Sequence, residues 1–437
     1  MLLIYTPHIT NRIAFIMDVI FNKHLRITYR LTESIEDYKQ ASIKIVYAPQ
    51  HVSVESEIYI WQHPLLIETD IRKQTIDHGL FEEEPIFFQS SHSQSFLPFD
   101  IFALAFYLLT RYEEYLPHPK DKYGRFPASE SIAFKTGFLQ KPLVDILVLK
   151  FAQKLQVVFP DLSFELPTAT YIATYDIDNA YAYKHKGLIR TIGGLLKQFL
   201  RFDFKDVIKR LSVLTGKKQD PSDTYQYIES IRQKYNLENY FFILCAEKSR
   251  YDRGLNHQNK DFQKLIRQLR TKGSIGCHPS FASSFSSSKL TCEINNLSAI
   301  IKEKIRYSRS HYLLLDFPET YQKYVLNGME IDFTLGYPEL IGFRASTCKT
   351  FHFFDLSTNE NTPLYLAPLA YMEATLQKYM QLKPDKALVL IKQLINAVKS
   401  VNGTFISLWH NESFEKNEKE DWKKIYEQSL VHFFTNP

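Results

Sequence analysis

The chain has 437 residues, 45% hydrophobic and 23% charged, enough to bury a large core and too ordinary a mixture for a disordered or fibrous class. Lys and Arg number 53 against 48 Asp and Glu, a net +5 that is too thin, if spread evenly, for a nucleic-acid protein. Four cysteines, Cys245, Cys277, Cys292 and Cys348, form no C-x-x-C pair, which argues against a disulfide scaffold or a structural zinc knot and for reduced, mostly buried thiols.

The opening stretch MLLIYTPHITNRIAFIMDVIF has neither a charged leader nor a small-residue cleavage site, so it does not read as a signal peptide. No apolar run reaches the roughly 20 residues that a membrane span needs. The expectation is a soluble, cytoplasmic protein. Short extended runs at 2–5, 43–47 and 58–61 mix with helical ones and predict a small α/β domain over residues 1–165. Its clearest helix is capped by Asp100, with Ile101, Leu104, Ala105, Leu108, Leu109 and Tyr112 on one apolar stripe and the acidic end RYEEY exposed. Turn chemistry over 124–131 leads to a second helix that Pro142 opens and that runs to about Leu155.

From Thr168 onward, short apolar strands alternate with longer helices, the sign of βα units in a parallel sheet or barrel over 166–437. Candidate strands are 170–175, 240–245, 274–277, 305–310, 330–334, 340–343, 364–367 and 404–409. In a βα barrel the site is built just beyond the C-terminal strand ends. There the sequence places Asp176 and Asp178, then His278, Arg309 with His311, Arg344, and finally His410 beside Trp409. Carboxylates and imidazoles gathered at one mouth suit a divalent metal with an open hydrolytic position. Asp176 and Asp178, two apart, share one side of an extended segment, and a nearby cation relieves their repulsion. His410 suits proton donation to a leaving amine. Arg309 and Arg344 suit orienting a carboxylate or holding substrate oxygens. Each also has a plainer structural use: a helix cap for the Asp pair, a hydrogen-bonded core histidine for His278, barrel filling for Trp409.

Taken together, Thr-Tyr-Asp-Ile-Asp (174–178), His-Pro-Ser (278–280), Arg-Ser-His-Tyr (309–312) and Leu-Trp-His (408–410) resemble, in order, the motifs of polysaccharide deacetylases of the NodB homology type. Over nearly its full length the chain resembles a Bacteroidetes-type branch of that superfamily with an extra N-terminal domain, in which the stretches FDIFALAFYLLTRYEEYLP and GRFPASES recur. The resemblance implies a distorted (β/α)7 TIM-like barrel, a Zn²⁺-type divalent metal, and removal of N-acetyl groups from a sugar of a cell-envelope or capsular polysaccharide or its lipid-linked precursor. It implies Asp176 as general base, Arg309 as the arginine orienting it, Asp178 and His278 as metal ligands, and His410 as general acid. The pattern's second metal histidine, four residues after the first, is replaced by Ala282, and His311 is the candidate replacement. Arg344, Trp409 and Tyr312 are the candidate substrate-binding residues, and Tyr175 and Phe281 further candidate sugar-stacking rings. A catalytically silent carbohydrate-binding barrel is the alternative.

Between the first two barrel strands lies an insert, 184–218, far longer than a βα loop usually runs. It carries ten basic against two acidic residues, so the rest of the chain is near −3. Leu188, Ile192, Leu195, Leu196, Phe199 and Leu200 run beside those cations, the pattern of a helix lying on a membrane surface. The insert predicts peripheral contact with an anionic inner membrane or a lipid-linked glycan rather than with nucleic acid.

Overall fold

The computed structural model describes residues 1–51, 58–415 and 421–435. Leu2–Tyr5 (β1) and Lys44–Ala48 (β3) are nearly unbroken apolar runs, and strands buried on both faces belong inside a parallel sheet. With Tyr29–Thr32 (β2) and Tyr59–Trp61 (β4) they form a parallel sheet in the order β2-β1-β3-β4. Helices Asn11–Met17 (α1) and Ile35–Gln40 (α2) lie along its crossovers, and a hairpin, Gly79–Phe81 (β5) with Glu84–Ile86 (β6), follows.

Helix Ile101–Leu109 (α3) starts at Asp100, whose Oδ1 accepts from the Phe102 and Ala103 amides at 2.9 and 3.0 Å. Its other oxygen accepts from the Tyr47 hydroxyl at 2.7 Å, so one carboxylate caps the helix and ties it to the sheet. The expected single apolar stripe is a helix buried on every side, because it lies between the N-terminal sheet and the C-terminal part. Phe102 packs on Tyr47 with ring centroids 5.0 Å apart, and Phe106 packs on Phe354 at 5.2 Å. The RYEEY end is not exposed as expected. Arg111, Tyr112 and Glu114 are buried, and the reason is an ion cluster that joins the two parts of the chain. Arg111 donates to Glu113, Glu114 and the Tyr337 hydroxyl, while Arg344 donates to both Glu114 oxygens at 2.9 and 2.5 Å. Short helix Ile132–Lys135 (α4) and the long helix Leu143–Val158 (α5) complete this half.

In the C-terminal half, Thr170–Ile177 (β7), Glu238–Ile243 (β8), Ser274–Cys277 (β9), Tyr307–Ser308 (β10), Ile331–Asp332 (β11), Phe351–Asp355 (β12), Glu360–Leu366 (β13), Tyr371–Met372 (β14) and Thr404–His410 (β15) form one nine-stranded sheet. The order is β12-β13-β11-β10-β9-β8-β7-β15-β14, parallel throughout except for β12 against β13. The insert folds as Leu188–Leu200 (α6) and Phe204–Leu214 (α7). Helices Tyr225–Tyr235 (α8), Lys260–Arg270 (α9), Ser287–Ile301 (α10), Glu319–Leu326 (α11), Pro384–Lys399 (α12) and Trp422–Thr435 (α13) follow along the chain. The architecture is α/β, with eight parallel strands and an antiparallel edge strand where the resemblance implies seven.

Residues 340–343, expected as a strand, are irregular. Gly342 sits at φ +131°, and a Cβ there would come within 2.3 Å of the Leu139 carbonyl oxygen, so this segment follows the N-terminal half instead of pairing in the sheet. Among the described residues no helix is long and apolar enough to cross a membrane. All four cysteines are free, and Cys292 is exposed.

The two halves share one hydrophobic core, and its seam holds an acid-sensitive group. His24 is buried 3.4 Å from Asp145. Asp145 already accepts from the Thr347 hydroxyl and the Cys348 amide. Burial, opposed only in part by Asp145, lowers the His24 imidazole to about 4. A histidine at 6.5 in the unfolded chain and about 4 in the folded one binds more protons when unfolded between those values, so stability falls as pH drops through that window, by up to about 3 kcal/mol. Urea unfolding of the wild type and His24→Gln between pH 7 and 4 checks this: the variant is expected to lose that part of the pH slope, and parallel slopes would contradict it.

Candidate metal centre

Four parallel strands deliver the site. Strand β7 ends in Asp176 and Ile177, with Asp178 just beyond, and β15 pairs His410 directly opposite Asp176. After β9, His278 keeps the sheet's rhythm by donating its amide to the Ile243 carbonyl at 3.0 Å. After β10, Arg309 donates its amide to Cys277 and His311 to Pro279, both at 3.0 Å. The chain thus holds these residues at the C-terminal edge by continuing the ladder one to three residues past the strands, where a parallel α/β sheet carries its chemistry.

The side chains converge on Asp178. His278 Nε2 lies 3.1 Å from Asp178 Oδ1 and 3.6 Å from Asp176 Oδ2. His311 Nε2 and His410 Nε2 lie 3.3 and 3.6 Å from Asp178 Oδ2. Every one of the three imidazoles is held from behind by its Nδ1. That of His278 donates to the Arg309 carbonyl at 2.5 Å, that of His311 to Asp252 Oδ1 at 2.9 Å, and that of His410 to Glu373 Oε1 at 2.7 Å. A backbone carbonyl can only accept, so the proton of His278 is fixed on Nδ1 and its Nε2 is turned to the centre. Arg309, fully buried, donates from Nη1 to Asp176 Oδ1 at 3.0 Å and from Nε to the Phe333 carbonyl at 3.1 Å. Its guanidinium lies over the Phe242 ring at 4.4 Å.

Burial by itself would raise the Asp178 carboxyl, but the charge of His311 and the imidazoles of His278 and His311 that face it hold it well below the usual carboxylate range. Burial by itself would lower the imidazoles. Asp178 and Asp252 instead raise His311 to about 9, and Glu373 with Asp178 and Asp176 raises His410 to about 10. The pocket favours positive charge at its centre, as imidazolium protons or as a divalent cation.

Asp178, His278 and His311 each offer one ligand atom, all within 4.8 Å of one another. Asp178 Oδ1 and His278 Nε2 are buried without a hydrogen-bond partner although they face each other. Two imidazoles and a carboxylate with an orphaned pair between them fit a divalent cation of the Zn²⁺ kind.

The remaining candidates divide. Tyr312 lines the mouth, partly exposed, in a backbone conformation at φ 63° that is fixed by Arg125 of the N-terminal half, which donates to its carbonyl at 2.7 Å. It belongs to an aromatic cluster with Tyr251 and Phe281, joined by Tyr123 from the N-terminal half at 5.2 Å. Arg344 and Trp409 do not reach the mouth, a correction to the expected substrate-binding set. Arg344 follows the irregular loop of Gly342 and is consumed by Glu114. Trp409 precedes the mouth-facing His410 on β15, and neighbouring strand residues point to opposite faces. It is buried on Tyr426 and Phe414 and donates to the Tyr371 hydroxyl at 2.9 Å. Tyr175 is likewise core, its hydroxyl 2.7 Å from that of Tyr426. Glu373 is legible as a strand-end carboxylate, after the two-residue β14, but nothing local ties it to chemistry; Asp252, in the loop after β8 and far along the chain from His311, escapes the sequence altogether.

A family of unknown function (DUF7033) matches residues 2–160. No curated protein matches the chain. Among solved structures, a candidate polysaccharide deacetylase from Mycobacterium smegmatis is similar at 14% identity and TM-score 0.40, over 61% of this chain and 84% of that one. A polysaccharide deacetylase from Bacillus cereus aligns at 11% identity and TM-score 0.28, over 60% and 85%. A CE4 family pseudoenzyme from Bacillus anthracis aligns at 10% and 0.30, over 60% and 63%. Likenesses at these TM-scores decide nothing about chemistry, which rests on the site's own geometry.

Removing any of Asp178, His278 or His311 leaves only two ligands, so the Ala variants are expected to lose stoichiometric zinc after dialysis, and Asp252→Ala to weaken it about tenfold or more. Full metal occupancy by elemental analysis in Asp178→Ala or His278→Ala would refute the centre, and in His311→Ala it would refute that residue's share in it.

Proposed function

We propose that the protein is a metal-dependent hydrolase that removes the N-acetyl group from a sugar of a cell-envelope or capsular polysaccharide or of its lipid-linked precursor. The observation that carries this is the pairing of a three-donor metal centre with two separately oriented proton-handling groups, Asp176 on Arg309 and His410 on Glu373. Amide hydrolysis needs this division: one group to take a proton from water, another to give one to the departing nitrogen.

A bound divalent cation supplies Lewis-acid polarisation of the acetyl carbonyl and a more acidic water. Asp176 is fixed through Oδ1 by Arg309, which leaves Oδ2 toward the centre as the proton acceptor. His410 carries a proton on Nε2 through the neutral range, because Glu373 behind it and the aspartates before it stabilise the imidazolium, and it hands that proton to the leaving nitrogen. The partly exposed rings of Tyr312, Tyr251 and Phe281 supply faces on which a sugar stacks. Tyr123 places the N-terminal half at the same mouth, which gives that half a part in holding substrate.

The test is acetate release from a panel of N-acetylated glycans by zinc-loaded protein. Release is expected to stop with a chelator and to fall about a hundredfold or more in Asp176→Asn and in His410→Ala. Stoichiometric zinc without acetate from any glycan would refute the hydrolase and leave a carbohydrate-binding barrel.

A further inference from the structure

The cavity over the metal triad, about 710 Å³, contains Asp178, His311 and Tyr312 and is walled by positive charge. The insert supplies Lys186, Arg190, Lys197 and Arg210, the loop after β8 Arg250 and Arg253, and the segment after β14 Lys378. Among the described residues, apart from the triad's own Asp178, the only acid on this wall is Glu412, which accepts from Asn179 at 2.7 Å. Among the described residues none of the seven cations has a carboxylate within 4 Å. Burial first, and then the neighbouring Arg190, lower the Lys186 ammonium to about 8, although Glu412 and Asp220 act against the shift. A fold that pairs its buried arginines elsewhere, as Glu114 does for Arg344, leaves these without a carboxylate partner around the triad's cavity, and such a field concentrates anions.

We propose that this wall is a subsite for a phosphate group carried by the glycan, so that the substrate is a phosphorylated N-acetyl sugar. The proposal rests on the deacetylase reading of the neighbouring centre. Its test is isothermal titration of the zinc-loaded full chain with N-acetylglucosamine, with N-acetylglucosamine 1-phosphate and with glucuronate. The phosphorylated sugar is expected to bind about tenfold or more tightly than the neutral one. That preference should vanish in Lys197→Ala/Arg253→Ala, whose two side chains are exposed and unpaired, so that zinc uptake is retained. Equal affinities, or a preference that survives in the double variant because phosphate meets only the metal, would overturn it. Tighter binding of glucuronate than of the phosphate would overturn the phosphate assignment. Acetate released equally well from neutral glycans by wild type and double variant sinks this subsite and spares the hydrolase. Phosphate-dependent binding with no acetate from any glycan sinks the hydrolase and spares the subsite.

A separate observation concerns the outer face of the insert. Helix α6 buries none of its residues and α7 only Val213, and Ile189 and Phe202 are 90% and 80% exposed. Leu188, Ile192, Phe199, Leu200 and Ile208 are exposed with them, far more apolar surface than a solvated helix pair leaves uncovered. A second copy is disfavoured by charge, since the insert carries ten basic and two acidic residues and would meet itself. We infer that α6 and α7 lie in the interface of an anionic bilayer and bring the cation-walled cavity to its surface. Flotation of the full chain is expected with phosphatidylglycerol vesicles at low salt, not with phosphatidylcholine vesicles. It should be lost in Ile189→Asp/Phe202→Asp. No flotation at low salt, flotation of the variant, or a dimer in sedimentation that the aspartates dissociate would overturn it.

Discussion

The site depends on where three imidazoles point, and that is decided by what stands behind them. Each Nδ1 is bound by an acceptor on the far side from Asp178: a backbone carbonyl for His278, Asp252 for His311, Glu373 for His410. The Nε2 atoms are therefore turned to one carboxylate without any choice of rotamer at the moment of ligand binding. Preorganised donors of this kind cost no rearrangement when a cation arrives, and second partners behind ligands set both ring orientation and basicity. Loss of Asp252 would leave His311 in place on the chain yet free to turn.

The same principle extends outward. Arg309 uses its carbonyl on His278 and its guanidinium on Asp176, so one residue fixes the His278 ring and the adjacent Asp176 carboxylate together. The N-terminal half is part of this support. Glu114 neutralises Arg344 of the C-terminal half, Arg111 reaches Tyr337, and Arg125 pins the carbonyl of Tyr312 at the mouth. Breaking a buried pair such as Glu114 with Arg344 strands a charge and typically costs about 3–5 kcal/mol, so the seam between the halves and the shape of the mouth are mechanically linked.

Much of this was legible in the sequence, and for a simple reason. Asp176, Asp178, His278, His311 and His410 come immediately after short apolar runs, and parallel strands deliver such residues to one edge. Asp178, His278 and His311 gather because the next strand brings a second histidine to the same place. What the sequence hid depended on contacts between distant elements. Asp252 is in a loop with no local pattern, and Glu373, legible after a strand only two residues long, has nothing local that ties it to chemistry. Arg344 looked like a strand-end residue because 340–343 is apolar, but Gly342 at φ +131° against Leu139 takes that segment out of the sheet. RYEEY looked like a solvated end because charge alone does not reveal a buried partner. Trp409 is the avoidable case: strand alternation already put it on the face opposite His410.

The central claim is that the ligands are Asp178, His278 and a histidine from the neighbouring strand, His311. Anomalous diffraction at the zinc edge from zinc-loaded crystals tests it most directly. The account predicts one strong peak enclosed by Asp178, His278 Nε2 and His311 Nε2; no peak there, or a peak that leaves His311 still donating to Asp252 but turned away from the metal, would contradict it.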